Sequence, residues 1–224
     1  MSREKIVLSW SGGKDSTFTL YKLLENTDYE VVSLLTTITR EYDRVSMHGV
    51  RCSLIEQQAR ATNLPLIKVF IPTNCSDTIY ASIMEEEMKQ LKLSGITTVA
   101  FGDIYLQDVR SYRENNLAKV GMKCLFPLWG IDSSSLVYSF IDAGFKSITT
   151  CIDTRVLDAK FLGRVIDCSF LTELPPGIDL AGEKGEFHSF AFDGPVFNRR
   201  IPFVAGESVL RDSFHFVDLL PASD

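Results

Sequence analysis

Apolar and polar positions along this chain change period repeatedly, and each change marks an element. Lys5 to Trp10 is a short, nearly continuous apolar run of strand length, the pattern of a buried strand. From Thr17 to Asn26, Phe18, Leu20, Leu23 and Leu24 fall at helical spacing. Glu30 to Thr37 is a second apolar strand. Val50 to Thr62 consists of good helix formers and stops before Asn63 and Pro65. Pro65 to Ile71 reads as a strand closed by Pro72. Ser76 to Leu93 is a long helix in which Ile79, Ile83, Met84, Met88 and Leu91 keep the helical period and Glu85-Glu86-Glu87 forms the solvated part. Thr97 to Gly102 is a further strand, and Asp108 to Gly121 a helix stopped by glycine. Strands alternating with helices of this length predict an α/β fold, a parallel sheet with helices on both faces. Ligands of such sheets sit beyond the carboxyl ends of the strands. Ser9 to Ser16 and Gly102-Asp103-Ile104 both lie at such ends.

After Leu128 the alternation is lost, which divides the chain into 1–128 and a smaller α+β part at 129–224. Asp132-Ser133-Ser134-Ser135 predicts a helix cap leading into Leu136 to Ala143. Phe145 to Ile152 reads as a strand, and Phe170 to Asp179, with Pro175-Pro176-Gly177, as irregular. Glu186 to Phe192 alternates, with His188, Phe190 and Phe192 on one face and Phe187, Ser189 and Ala191 on the other. Phe214 to Leu220 reads as a closing strand, with His215 in a structural role. There is no repeat, low-complexity segment or flexible linker, so the second half is expected to pack on the first and share its cleft.

Composition narrows the class. With 45% hydrophobic residues and no apolar run long enough to span a bilayer, the chain reads as soluble, without a membrane partner. Met1-Ser2-Arg3-Glu4-Lys5 runs directly into the first strand and leaves no room for a signal peptide, which predicts a cytoplasmic protein. The five cysteines are scattered and form no Cys-x-x-Cys pair, arguing for a reducing compartment and against a zinc ribbon or iron–sulfur cluster. A formal net charge of −6 provides no general attraction for nucleic acid.

The densest chemistry lies at the first strand–helix junction, Ser9-Trp10-Ser11-Gly12-Gly13-Lys14-Asp15-Ser16. Adjacent glycines allow positive φ and close backbone approach, and the free N–H groups of a helix N-terminus attract an anion. Lys14 adds a positive charge, and Ser9, Ser11 and Ser16 add hydroxyl donors. The expected ligand is a phosphate carried by a nucleotide. Neither the spacing of the ATPase P-loop nor the dinucleotide fingerprint is present.

The run resembles Ser-Gly-Gly-x-Asp-Ser, the PP-loop of the N-type ATP pyrophosphatases, which implies a Rossmann-like adenine nucleotide α-hydrolase fold. A second stretch, Gly182-Glu183-Lys184-Gly185-Glu186-Phe187-His188-Ser189 followed by Asp193-Gly194-Pro195, also reads on its own as a glycine turn opening a hairpin. Taken with the loop, Gly102-Asp103-Ile104, Arg113-Glu114 and Pro127-Leu128-Trp129, it resembles the diphthine–ammonia ligase-like family over nearly the whole chain.

That resemblance implies an acid–ammonia ligase. ATP activates a substrate carboxylate as its adenylate, pyrophosphate leaves, and ammonia displaces AMP; in the family the carboxylate belongs to diphthine, a modified histidine of elongation factor 2. The division at 128/129 would then separate an ATP-binding domain from a substrate-side domain. Carried onto this chain, Ser9, Ser11, Gly12, Gly13, Lys14, Asp15 and Ser16, with Gly102 and Asp103, hold ATP. Lys14 offsets charge on the leaving pyrophosphate, and Asp15 helps hold Mg²⁺. Gly182, Glu183, Gly185 and Ser189, with His48, Arg51, Arg113 and Glu114, fall on the substrate side. Glu186 and His188 are the candidates to bind ammonium and accept its proton.

The chain departs from the diphthamide pattern at His188, where eukaryotic and archaeal members tend to carry an acidic residue. A histidine there resembles bacterial relatives, for which a role in cobalamin salvage has been suggested, so a small-molecule acceptor stands beside diphthine. Met47-His48-Gly49-Val50-Arg51 resembles a cleft segment of that branch, with Arg51 suited to an anionic group. A homodimeric assembly is a further expectation. Two other readings stay open: an ATP-binding sensor without turnover, and a PP-loop tRNA-modifying enzyme, which would want a basic appendage or catalytic cysteines.

Overall fold

A computed structural model describes residues 3–46 and 48–222. Met1 and Ser2 of the chain start, and Met47 beside His48, lie outside the described residues. The first half runs β1 (Glu4–Ser9), α1 (Lys14–Glu25), β2 (Tyr29–Thr39), β3 (Arg44–Val45), α2 (Cys52–Thr62), β4 (Leu66–Ile71), α3 (Asp77–Leu93), β5 (Thr98–Ala100), α4 (Gln107–Lys119) and β6 (Lys123–Leu125). β1 pairs in parallel with β2 on one side and β5 on the other, β4 extends the sheet beyond β2, and β6 beyond β5. The short β3 lies antiparallel on Ile38 and Thr39, where β2 has outrun β1. Read across, the parallel strands run β4-β2-β1-β5-β6, so the chain reverses direction of travel between β1 and β5. A crevice opens beyond the strand ends at that reversal.

The alternation inside β1 explains why helices cover both faces. Ile6 and Leu8 point into a core with Phe18, Leu20 and Leu23 of α1 and Leu54, Ile55 and Ala59 of α2. Val7 points the other way, joining Met88 and Leu91 of α3 and Leu117 of α4. Ser76 caps α3 by accepting from the Ile79 N–H at 3.3 Å.

The second half contains α5 (Ser133–Asp142), β7 (Lys146–Asp153), α6 (Cys168–Glu173), β8 (Phe187–Asp193), β9 (Phe203–Arg211) and β10 (Phe214–Pro221). Its strands form a separate antiparallel sheet in the order β8-β7-β10-β9. The α1-side core continues into it: Phe140 of α5 stacks on Phe145 at 4.8 Å, and both meet Phe18 of α1 edge-on at 6.0 Å. Each such buried ring contributes about 1.5–3 kcal/mol, so the two sheets share one apolar interior.

One sequence expectation needs correction. The stretch expected to be irregular begins inside α6, because the Asp167 carboxylate accepts the Phe170 N–H at 2.8 Å and starts a helix that Pro175 and Pro176 only stop. The expected closing strand is β10, which pairs between β7 and β9. β9 is half-buried or exposed along its length, so it shows no alternation to read. Among the described residues no helix is long and apolar enough to cross a membrane.

Candidate functional site

The turn between β1 and α1 is built by strands from both halves. Gly12 sits at φ +78°, and a Cβ there would collide with Ile55 and lie 2.6 Å from the Gln58 Oε1. Gly13 leaves room for β8, whose Ser189 carbonyl would be 3.0 Å from a Cβ at that position. The Ala191 N–H donates to the Gly12 carbonyl at 2.8 Å, and the Lys14 N–H at the start of α1 donates to the Ser189 Oγ at 3.1 Å. Gln58, fully buried on α2, ties the pieces together. It accepts from the Trp10 indole at 2.9 Å and donates to the carbonyls of Gly12 at 2.9 Å and Ala191 at 2.6 Å.

Two joined chambers open beyond the strand ends. The lower, about 230 Å³, is bounded by the glycine turn, Gly102-Asp103 and residues 181–183, 185 and 187–189. The upper, about 330 Å³, runs between the ends of β1, β2 and β5 and the helices α3 and α4, with Tyr80, Met84 and Tyr112 in its walls. Ser9, Ser11, His48, Phe101 and Arg113 line both. Thr36 Oγ1 and His48 Nδ1, which belong to lining residues, are buried without a hydrogen-bond partner.

The lower chamber is crowded with charge. Lys14 Nζ bonds both Asp15 oxygens at 2.8 Å and also reaches the Ala181 carbonyl. Burial raises the Asp15 carboxyl above its ordinary range; Lys14 opposes the shift, and Asp179 and Asp103 add to it. Asp103 is gripped by Arg113 at 2.5 and 3.0 Å, and that guanidinium stacks 4.4 Å from the Phe101 ring centre. Glu183 Oε1 accepts the Ile104 N–H at 2.8 Å, and burial, reinforced by Asp15 and Asp103, pushes its carboxyl up to about 7. Burial acts against the Asp179 charge, yet Ser133 at 2.8 Å, Tyr105 at 2.9 Å and backbone N–H donors hold its carboxyl below the ordinary range.

His48 and His188 face each other with ring centres 4.6 Å apart. Burial and Lys14 bring His188 down to about 4, and burial and His188 hold His48 well below its usual value. Both imidazoles are therefore neutral at physiological pH.

Of the residues singled out from sequence, all line the lower chamber except Gly12, Arg51, Glu114 and Glu186. Gly12 lies behind the loop, where its carbonyl is bonded to Gln58 and Ala191. Arg51 is turned onto Asp218 at 2.6 Å, beside Arg44. Glu114 pairs with Arg110 at 2.8 Å along α4. Glu186 is buried with its oxygens accepting the N–H groups of Asp179 and Lys184, each at 3.1 Å, so it staples its own loop instead of lining the chamber. Sequence reading missed Gln58, Asp179 and the upper chamber. The adjacent Thr36 and Thr37 at the end of a parallel strand were the available signal, by the strand-end rule already applied to Ser9.

Comparison with known proteins finds relatives along nearly the whole chain. The family model described as the diphthamide synthase N-terminal domain matches residues 4–124, and that of the diphthamide synthase C-terminal domain matches residues 132–220. The chain is 25% identical over 229 residues to the diphthine–ammonia ligase of Homo sapiens, covering 92% of this chain and 85% of that protein. It is also 25% identical over 232 residues to the diphthine–ammonia ligase of Danio rerio, covering 92% and 89%. A solved structure described as a predicted subunit of tRNA methyltransferase from Methanocaldococcus jannaschii covers 64% of this chain and 80% of its own at 15% identity and a TM-score of 0.46, a likeness too loose to bear on activity. With family models matching both halves in order, the chain belongs to the diphthamide synthase family.

Proposed function

We propose that this chain is an ATP-dependent amide ligase that adenylates a substrate carboxylate and transfers the acyl group to ammonia, releasing AMP and pyrophosphate. The observation that carries the reading is the glycine turn at the head of α1, wedged against β8 so that phosphate loop and substrate segment wall one chamber. The donor set suits a nucleoside triphosphate. The lower chamber offers the start of α1, Lys14 and the hydroxyls of Ser9, Ser11, Ser16 and Ser189; the upper offers aromatic and methionine walls with the unpartnered Thr36 hydroxyl. The triphosphate belongs in the first and the base in the second.

A carboxylate oxygen attacks the α-phosphorus and pyrophosphate departs with the bonding electrons. Lys14, exchanging Asp15 and Ala181 for phosphate oxygens, offsets the charge on that leaving group. Ammonia then adds to the acyl carbon and AMP leaves. Among the described residues no three His, Cys, Asp or Glu side chains gather as a metal cage. Asp15 is the residue that would hold Mg²⁺, and the ion would supply positive charge against that of the phosphates. The thiolase alternative is disfavoured because none of the five cysteines lines either chamber.

The test incubates the chain with radiolabelled ATP, diphthine-bearing elongation factor 2 and ammonia, with a panel of small carboxylic acids in parallel. Ammonia-dependent AMP and pyrophosphate in either arm support the ligase. Tight ATP binding with no AMP in both arms contradicts it and leaves a nucleotide sensor.

A further inference from the structure

The loop between α6 and β8 presents two glutamates three positions apart, and the fold gives them opposite environments. Glu186 is sealed behind the loop, with both oxygens occupied by backbone N–H donors. Glu183 lies on the chamber wall with one oxygen anchored: Oε1 takes the Ile104 N–H at 2.8 Å and faces the Tyr105 N–H at 3.5 Å, while Oε2 has no protein hydrogen bond among the described contacts. We propose, resting on the ligase reading above, that Glu183 and not Glu186 is the carboxylate that meets the incoming ammonia and takes its proton. The nitrogen lone pair forms the C–N bond to the acyl carbon, and the C–O bond to AMP breaks with its electrons leaving on the phosphate. One N–H proton passes to the free Glu183 oxygen, giving a neutral carboxylic acid and the amide.

The surroundings suit that role. Lys14 and Asp15 face Glu183 from α1, Asp103 faces it from the β5 end with Arg113 behind, and Tyr105 lies on its anchored side. Burial and the two aspartates outweigh the Ile104 N–H and Lys14, which pushes the carboxyl up to about 7. A carboxyl in that range takes up a proton and returns it to water within one turnover at physiological pH. The neutral His48 and His188 across the chamber add no positive charge that would repel an ammonium ion.

The experiment compares Glu183→Gln and Glu186→Gln in the full chain. Carbon NMR of labelled glutamate should show Glu183 titrating near 7 in the wild type. With diphthine-bearing elongation factor 2 as acceptor, Glu183→Gln should keep ATP affinity and pyrophosphate release while ammonia-dependent amide formation falls about a hundredfold. Glu186→Gln should loosen the loop and weaken ATP binding and amidation together. Equal loss of ATP affinity and amidation in Glu183→Gln, or full ammonia-dependent turnover with an unchanged pH profile, overturns this assignment and leaves the ligase reading standing. A wild type with no turnover on this acceptor or on any of the small carboxylic acids overturns both.

Discussion

Replacing Gln58 by leucine tests the joint on which the chamber depends. The side chains are similar in size and the position is fully buried, so the change removes hydrogen bonds and leaves little cavity. Trp10, itself almost fully buried, loses the partner of its indole N–H at 2.9 Å. An orphaned buried donor costs about 1–3 kcal/mol. The carbonyls of Gly12 and Ala191 lose contacts at 2.9 and 2.6 Å, although Gly12 keeps the Ala191 N–H. These add about 0.5–1.5 kcal/mol each. A total of about 3 kcal/mol lowers the melting temperature of a chain this size by about 6–12 °C. Calorimetry measures that shift, and titration with ATP measures the second consequence, a weaker nucleotide affinity once the loop is untied from α2 and β8. A drop below about 2 °C with ATP affinity intact would refute the reasoning.

Lys14→Ala should lower AMP formation about a hundredfold or more without unfolding the chain, checked by single-turnover kinetics beside circular dichroism. Asp218→Asn should cost about 1 kcal/mol at neutral pH, a figure already discounted for the exposure of Arg51. The folded-state pKa of Asp218 is depressed by the two arginines, so its contribution is present above the ordinary carboxylate range and lost as pH falls below it. The variant's deficit in thermal melts should therefore shrink below about pH 4. His188 runs the same way for a different reason: its pKa of about 4 lies below the unfolded value, so stability falls between about pH 6.5 and 4, and His188→Gln should flatten that slope. Glu183 has the opposite sign, because its raised pKa makes the folded form bind the extra proton. Glu183→Gln should melt higher than wild type at about pH 8 and equal to it near pH 4, measured by scanning fluorimetry.

What the sequence disclosed follows from which interactions are local. β1 and α1 were readable because apolar runs and helical spacing report burial directly, and the Ser76 and Asp132 caps lie one turn from the N–H groups they bind. The glycine turn was readable because its conformation needs residues that few other turns need. Gln58 was read only as a helix former, since its partners lie 48, 46 and 133 positions away. The two glutamates could not be told apart by spacing. Which one faces the chamber depends on a backbone path that bonds Glu186 to Asp179 and Lys184 and lets Glu183 reach Ile104. Arg51 looked like an anion site because Asp218, its partner, lies 167 positions along. The upper chamber arises from α3 and α4 meeting the sheet, and Tyr80 and Tyr112 show their shared wall only after that packing.

The central claim is that an acceptor carboxylate attacks the α-phosphorus of ATP held at the glycine turn. The most direct measurement labels the oxygens of that carboxylate with heavy oxygen and follows the label through one turnover with ammonia. The account predicts one labelled oxygen in the phosphate of AMP, unlabelled pyrophosphate, and no ADP. Label in inorganic phosphate with ADP as the nucleotide product, or AMP formed without label, would contradict it.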